Sequence, residues 1–383
     1  MEGKVIKTKK GLFLRKENDF GALVFSPYSG LFFAIAKDYV EDTLLFCNEQ
    51  KTTLMLPDEI IRSLNIGLDL TAKNFEIQTH WLPNRASFPD GFPDNSFVIN
   101  WLISNKCLFK CNYCYASDVI NRKFEMVDVK KTAESILELQ PLAIVLCGGE
   151  PLIEKEKMID ALNILGGKVG IIVDTNGYNY DEELTDLFVK YKVVVRVSLD
   201  TLQNDLTQKI RPLNDKKKDN NILDDIVSNI VKYRNKKIPV LIHTVVSSVN
   251  KNSLVDLYDK LPKLGVNGWR IFSVINPNDE DRKESFDEMM TFRFVKTLKE
   301  AQEDIKKKME YLRNSHKSKS NFSLQVVSTT DGSKNSVILV LPNGRFVTES
   351  LNRNEKTEIN MNDIFSKDIV SRKEHYERYL GKI

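Results

Sequence analysis

The hydrophobic pattern differs on the two sides of residue 96. Before it, short apolar runs joined by turn residues predict antiparallel strands, and two helical stretches follow them. The apolar runs are residues 11–15, 22–25 and 31–35, and the helical stretches are about 37–49 and 58–65. This layout predicts a small α+β domain over residues 1–84.

From residue 97 onwards, strand patterns alternate with helical ones. Six apolar runs are too short for helices, and between them helical periodicity appears, as at Val129, Ala133 and Ile136. The runs cover residues 97–103, 142–147, 169–173, 193–199, 238–246 and 269–274. Six β/α units in succession predict an α/β fold whose parallel sheet curls into a partial, TIM-like (β/α)6 barrel over residues 97–275. Ligands of such folds bind at the carboxyl ends of the strands.

Two further segments flank the predicted barrel. Residues 85–96 concentrate proline, glycine and polar side chains, which predicts a linker. Residues 276–383 contain a long helical pattern at about 286–313 and then two apolar runs around Asn343-Gly344, a hairpin turn pair. We therefore expect a C-terminal extension with a β-hairpin.

Composition and charge restrict the function classes only moderately. Hydrophobic residues make up 42% of the chain and charged residues 28%, which is ordinary for a globular protein. A net charge of +3 is too balanced to indicate nucleic acid or an anionic membrane as an obligatory partner. The absence of a long apolar run and of a signal sequence predicts a cytoplasmic protein with reduced cysteines.

Three of the five cysteines, Cys107, Cys111 and Cys114, fall within eight residues. Thiolates select soft centres such as zinc or iron–sulfur clusters. A structural zinc site needs a fourth ligand, but Cys47 and Cys147 are distant and no histidine lies at a zinc-finger spacing. Three ligands on a four-iron cluster leave one iron open to a small molecule. A zinc site and three unrelated buried thiols remain the alternatives.

These residues also carry a family resemblance. The spacing C-x-x-x-C-x-x-C with Tyr113 before the last cysteine, followed by Gly148-Gly149-Glu150-Pro151 and Thr175-Asn176-Gly177, resembles the motifs of radical S-adenosylmethionine (SAM) enzymes. The resemblance implies an enzyme with one 4Fe–4S cluster whose open iron is chelated by SAM. In that family the reduced cluster cleaves SAM to a 5′-deoxyadenosyl radical.

The resemblance assigns roles to individual residues. It implies cluster ligation by the three clustered cysteines, Cys107, Cys111 and Cys114. It implies SAM contacts from Tyr113, Gly148, Gly149, Glu150, Thr175, Asn176, Ser198, Asp200 and Arg211, with Arg211 alternatively a surface cation. We add Cys147 and His243 as candidate catalytic residues, the former as a hydrogen-atom donor. Their alternatives are a buried hydrophobe for Cys147 and a structural histidine for His243.

The N-terminal layout and the phrase Phe20-Gly21-Ala22-Leu23-Val24-Phe25 resemble the winged-helix-like, leader-binding modules of radical SAM peptide maturases. There a leader peptide adds a strand to an exposed sheet edge. A domain that only caps the core or mediates dimerisation is the alternative. No cysteine follows Cys147, and Glu349 and Ser350 stand where an auxiliary-cluster cysteine is expected, so we expect a single cluster.

The resemblance and the single cluster together suggest epimerisation or cross-linking of a ribosomally made peptide. The expected partners are that peptide with its leader and an external electron donor such as flavodoxin or ferredoxin. Action on a small molecule or nucleotide is the second hypothesis. A non-catalytic iron–sulfur redox sensor is the third, although a sensor would need only the cysteines.

Overall fold

A computed structural model describes most of the first 273 residues and three short segments beyond them. The described ranges are 3–17, 20–50, 56–68, 97–114, 116–120, 122–125, 127–214, 221–247, 249–273, 323–327, 337–350 and 355–358. The predicted linker at 85–96 and the predicted helix at 286–313 lie outside these ranges.

The N-terminal region forms a four-stranded antiparallel sheet with two helices on one face. The strands, in spatial order, are β1 (Val5–Lys7), β2 (Phe13–Glu17), β3 (Gly21–Phe25) and β4 (Phe32–Ile35), and the helices are α1 (Val40–Cys47) and α2 (Asp58–Leu68). Val24 and Ile35 pack with Leu44 and Leu64 in one buried cluster. Strand β1 was not predicted, because three residues are too few to show a period.

A ten-stranded sheet forms the rest of the described fold. Its central six strands are parallel neighbours and lie at the six predicted apolar runs, so the predicted α/β class with a partial barrel is confirmed. They are β5 (Val98–Ser104), β6 (Ala143–Gly148), β7 (Gly170–Thr175), β8 (Val194–Ser198), β9 (Val240–Val246) and β10 (Gly268–Ser273).

Helices cover the outer face of this sheet. They are α3 (Val129–Glu138), α4 (Lys155–Leu165), α5 (Glu182–Tyr191), α6 (Asn204–Ile210), α7 (Ile222–Asn235) and α8 (Leu254–Lys260). Side chains alternate along each strand, so Ile144 and Leu146 of β6 join the helices in one cluster. Val145 and Cys147 of the same strand join a second cluster on the inner face.

Four short strands extend the barrel sheet at both edges. They are β11 (Ser323–Val327), β12 (Val337–Val340), β13 (Phe346–Ser350) and β14 (Glu355–Glu358). The predicted C-terminal hairpin is β12 with β13, and β12 also pairs in parallel with β5, while β11 pairs in parallel with β10. The hairpin therefore extends the main sheet. The strands β12 and β5 that pair here are about 240 residues apart in the chain, so local sequence patterns do not reveal their pairing.

The N-terminal sheet closes the amino end of the barrel. Phe25 lies fully buried against Gly170 at the start of β7, and the ring centroids of Phe32 and Phe97 are 6.0 Å apart. The Arg15 guanidinium donates to the backbone carbonyl of Gln140, 3.2 Å away. Among the described residues, the end of the barrel left open is therefore the one where the carboxyl ends of the strands lie.

Candidate functional site

The three clustered cysteines lie on the loop that follows β5, residues 105–114, which we call the cysteine loop. Residues 209–214, the last two residues of α6 and the segment after it, run alongside it. The Lys110 amide donates to the Pro212 carbonyl at 2.8 Å, and the Asn214 amide donates to the Leu108 carbonyl at 2.7 Å. These two backbone hydrogen bonds fix the loop against the segment that follows α6.

All three thiols of the loop are half-buried, and none is in a disulfide. The Phe109 amide donates to Cys107 Sγ at 3.4 Å. Burial, with a further contribution from the neighbouring Cys111, raises the pKa of Cys107 to about 12. A thiolate here therefore needs a compensating positive charge, which a bound metal centre supplies.

The donor set fits a cluster better than a single ion. Within the described ranges, no three His, Cys, Asp or Glu side chains converge closely enough to ligate one metal ion. In an iron–sulfur cluster each cysteine binds a different iron, so the sulfur atoms need not meet at one point. Three thiols on a pre-formed loop satisfy that requirement, and the three cysteines would hold the cluster.

The glycine turn after β6 touches the cysteine loop directly. The Gly149 amide donates to the Ser104 carbonyl at 2.8 Å, and the Glu150 amide donates to the Lys106 carbonyl at 2.7 Å. Gly148 has φ +137°, and a Cβ on Gly148 or Gly149 would lie 2.2 Å from a backbone oxygen of Ser104 or Lys106. Only glycine permits this approach, so these two residues bring the Glu150 turn against the cysteines.

Glu150 is a fully buried carboxylate, and the donors that it meets among the described residues are all neutral. Its Oε1 accepts hydrogen bonds from the Leu152 amide at 3.1 Å and the Thr175 hydroxyl at 2.8 Å, and its Oε2 accepts from the Asn176 amide at 2.7 Å. Burial raises the pKa of Glu150 to about 7 in spite of these bonds. A ligand ammonium group nearby would restore the charged form.

Asn176 also provides an observation that points to a ligand. Its Oδ1 accepts a hydrogen bond from the Tyr178 amide at 2.8 Å, whereas its buried Nδ2 has no partner among the described residues. A buried donor without an acceptor is costly, so such groups usually await a ligand or water. The Thr175-Asn176 turn and Glu150 thus lie together, with an amide donor available to a ligand.

Tyr113 and Asp200 are joined to each other. The Tyr113 hydroxyl donates to Asp200 Oδ2, and the Val245 amide of β9 donates to Asp200 Oδ1 at 2.8 Å. Burial raises the pKa of both side chains. Both Asp200 oxygens therefore already accept hydrogen bonds. Through Asp200, the cysteine loop is connected to β9. Ser198, predicted to share a face with Asp200, ends β8 and is half-buried.

Arg211 is 2% exposed, so the surface-cation alternative is wrong. Its Nη1 donates to the Ser198 carbonyl and its Nη2 donates to the Asn176 carbonyl at 3.1 Å. The guanidinium also lies over the Phe109 ring, 5.2 Å from its centroid. Arg211 thus joins the carboxyl ends of β7 and β8 to the cysteine loop, a positioning role that the sequence did not indicate.

The two candidate catalytic residues lie on the inner wall of the barrel, Cys147 on β6 directly before the glycine turn and His243 on β9. Cys147 is 3% exposed within the inner apolar cluster. His243 is half-buried on β9, with its ring centroid 4.8 Å from that of Phe272. Sequence reasoning missed two charged neighbours, Asp174 and Arg196, which form a bidentate ion pair. Strand alternation could have found them, because both share the inner face with Ser198.

None of the helices in the described part of the chain is both long and apolar enough to cross a bilayer.

Comparison with known proteins adds a family and several relatives. Residues 101–261 match the family model of the radical SAM superfamily. An S-adenosylmethionine-dependent nucleotide dehydratase of Psychrobacter lutiphocae is 25% identical over 204 residues, or 48% of this chain and 66% of that protein. A GTP 3′,8-cyclase of Staphylococcus epidermidis is 22% identical over 201 residues, or 46% of this chain and 58% of that protein. The chain thus covers less than two-thirds of the length of either relative.

The likeness to solved structures can extend over almost the whole chain. SuiB of Streptococcus suis bound to its precursor peptide SuiA superposes with a TM-score of 0.59, covering 98% of this chain and 89% of that one. The two sequences are 12% identical, so this likeness concerns the fold.

Proposed function

The chain belongs to the radical SAM superfamily of enzymes, and from that premise we propose that it uses SAM to modify a ribosomally made peptide. Cys107, Cys111 and Cys114 would hold a single 4Fe–4S cluster. When bound and reduced, this cluster supplies the electron that cleaves SAM to a 5′-deoxyadenosyl radical. The remaining residues of the site position SAM and the substrate.

The site residues divide into those that would contact SAM and those that hold the site together. The glycine turn with Glu150 would receive the amino group of SAM, and Asn176 Nδ2 is the donor available to its oxygens. Thr175 orients Glu150 by donating to Oε1. Arg211, and Asp200 with Tyr113, would position the strand ends and the cysteine loop. Ser198 remains a proposed SAM contact at the open end of the barrel.

The observation that carries the peptide substrate is the layout of the whole chain. The nucleotide-modifying relatives align with less than half of it, whereas the likeness to SuiB extends over the N-terminal sheet as well. SuiB binds a precursor peptide. The N-terminal sheet here has two edge strands, β1 and β4, and a peptide strand can add to such an edge through main-chain hydrogen bonds.

Epimerisation and cross-linking remain the two proposed outcomes for the peptide. Cys147 would return a hydrogen atom in epimerisation, which requires its thiol to become accessible from the barrel interior. His243 would contact the substrate from β9. Replacing Cys147 with Ala should stop hydrogen return while leaving 5′-deoxyadenosine formation intact. Product formation by Cys147→Ala at the parental rate would remove this thiol from the mechanism.

A nucleotide substrate is the second candidate, and the sequence relatives favour it. Both named relatives act on nucleotides according to their names, and each aligns with a little under half of this chain. A test of peptide substrates should therefore include nucleoside triphosphates as the alternative substrate class.

The first experiment tests the radical chemistry itself. The protein would be reconstituted anaerobically, its iron and sulfide counted, and 5′-deoxyadenosine measured after dithionite reduction with SAM. We expect about four irons per chain and cysteine-dependent 5′-deoxyadenosine, both lost in the Cys107→Ala, Cys111→Ala, Cys114→Ala triple variant. The matched control is Cys47→Ala, since Cys47 is the last residue of α1 and is buried in the N-terminal domain. Zinc in place of iron, or no SAM cleavage, would refute the proposal.

The second experiment separates the two substrate classes. Hydrogen–deuterium exchange would be followed in the presence of peptides encoded beside the gene, and separately with nucleoside triphosphates. A peptide substrate should protect β1 or β4 amides and increase 5′-deoxyadenosine. Deleting the N-terminal domain is not suitable here, because its phenylalanines complete the inner core of the barrel. If nucleoside triphosphates increase 5′-deoxyadenosine formation and the peptides do not, the nucleotide substrate is favoured.

A further inference from the structure

Arg211 lies opposite Cys111, the middle cysteine of the cysteine loop. Phe109 and Leu213 form an antiparallel bridge between this loop and the segment after α6. Two residues further along the loop, and two residues back along the segment, the facing positions are Cys111 and Arg211. The amides on either side of Cys111 donate to the carbonyls on either side of Arg211, at 2.8 and 3.2 Å. The backbone therefore holds the arginine and the cysteine next to each other.

The guanidinium of Arg211 is a buried positive charge. The residue is 2% exposed, and the acceptors that its two Nη atoms meet are neutral backbone carbonyls. A third donor, Nε, is buried and has no partner among the described residues. Burial by itself would lower the pKa of Arg211, but three neighbouring groups outweigh it and raise the pKa, so the side chain stays charged. These groups are Tyr113, Cys111 and Asp200.

A buried cation beside a cysteine ligand changes how easily an iron–sulfur cluster is reduced. Reduction adds one electron and no proton, so it makes a thiolate-ligated cluster more negative by one charge. The reduction potential depends on net charge, on hydrogen bonds to the sulfur atoms and on exposure to solvent. Arg211 supplies a charge and, at Nε, a donor that the described residues leave unused. Because the residue is buried, water screens that charge less than it would at the surface.

We propose that Arg211 raises the reduction potential of the cluster through its buried charge beside Cys111. This inference rests on the proposed function, since it assumes a 4Fe–4S cluster on the three cysteines. It differs from the SAM contact that the family resemblance implies, because it predicts an effect of Arg211 in the absence of SAM. Arg211 acts here through a ligand cysteine and is a positioning residue.

The test compares three variants with the parent after anaerobic reconstitution, all without SAM. Arg211→Met removes the charge and the donors, whereas Arg211→Lys retains the charge but loses the planar fork. Lys110→Met is the matched control, because it removes an exposed cation that directly precedes Cys111 in the chain. Iron and sulfide are counted in each protein. The midpoint potential of the cluster is then measured by a dye-mediated redox titration followed by electron paramagnetic resonance.

The variants should differ in the size of the potential shift. We expect Arg211→Met to lower the midpoint potential by about 59 mV or more, which is a tenfold change in the one-electron equilibrium constant. Arg211→Lys should stay closer to the parent than to Arg211→Met, since its ammonium group keeps the charge. Lys110→Met should lower the potential much less than Arg211→Met does, because water and salt screen an exposed charge.

Two results would overturn the proposal. One is an unchanged potential in Arg211→Met. The other is an equal shift in Arg211→Met and Arg211→Lys, because a purely structural role of the arginine predicts that both changes disturb the loop alike. If Arg211→Met takes up no iron, the neutral variant Arg211→Gln, whose amide can still donate to a backbone carbonyl, is held to the same expectation. Failure of the proposed function appears separately, as a parent protein that holds no iron–sulfur cluster or does not cleave SAM.

Discussion

The two ends of the barrel are built from the same strands but differ in the polarity of their buried residues. At the amino end, Phe25 and Phe32 pack into an apolar cluster with Val145 and Ile172. At the carboxyl end, the strands finish in buried polar groups, Glu150 among them, and a half-buried cysteine loop. An apolar end contributes stability through burial, whereas buried polar groups cost stability unless they are partnered. The amino end of the barrel thus contributes mainly to stability, whereas the carboxyl end holds the candidate functional site.

The largest expected effect on stability lies at the amino end. Phe25→Ala removes a fully buried ring from the interface between the N-terminal sheet and the barrel. We expect the free energy of unfolding to fall by about 3–5 kcal/mol. Chemical denaturation of the cluster-free protein measures this loss. Leu45→Ala, at a residue 38% exposed on α1, should change stability by less than about 0.5 kcal/mol. Equal effects in the two variants would mean that the sheet does not complete the core.

At the carboxyl end, stability should depend on pH through Glu150. Its pKa rises from 4.5 to about 7 on folding, so the folded protein retains a proton that the unfolded chain has lost. Stability from this group is therefore fully present below pH 4.5 and falls as the pH rises towards 7, by about 3 kcal/mol.

The measurement for Glu150 is urea unfolding of the cluster-free parent and of Glu150→Gln between pH 4.5 and 8. The glutamine does not titrate, so the difference between the two curves isolates the carboxyl group. A parent-minus-variant difference that stays constant across this range would show that Glu150 keeps an ordinary pKa. Saturating SAM should reduce the pH dependence if its ammonium group lies beside the carboxylate.

A somewhat smaller effect is expected at Arg211, which joins two strand ends. Arg211→Lys retains the charge but loses the planar fork that reaches both the Ser198 and Asn176 carbonyls. We expect a loss of about 2 kcal/mol in unfolding free energy, the value of a hydrogen bond to a charged group. Unchanged stability combined with weaker SAM binding would instead support the original expectation of a SAM-carboxylate contact.

The smallest effect tests the fit between the N-terminal sheet and the barrel. A Cβ on Gly170 would lie 2.2 Å from Phe25 Cδ1, so Gly170→Ala should cost about 1–3 kcal/mol through overpacking. Adding Phe25→Leu should recover part of the loss, because the smaller side chain leaves room for the methyl group. Thermal unfolding of the single and double variants measures the coupling. Strictly additive losses would show that the two residues do not touch.

Much of the fold could be predicted because its dominant signals are local. Strands β5 to β8 are buried over nearly their whole length, so each appears as a nearly continuous apolar run. The observed β6 (Ala143–Gly148) differs from its predicted run by one residue at each end. The predicted hairpin is also present, since its turn pair is local. Its place beside β5 could not be predicted, because parallel pairing is decided by distant parts of the chain.

The sequence by itself determined the chemistry that the protein can hold: three clustered thiols, a glycine turn with an acid, and alternating strands and helices. These are local properties, set by spacing and side-chain period. Only the tertiary structure decided what each polar group does. It joined Asp200 to Tyr113 and bound Arg211 to two strand ends. It also placed the N-terminal phenylalanines at the amino end of the barrel. These contacts could not be predicted, because burial and hydrogen bonding depend on neighbours far away in the chain.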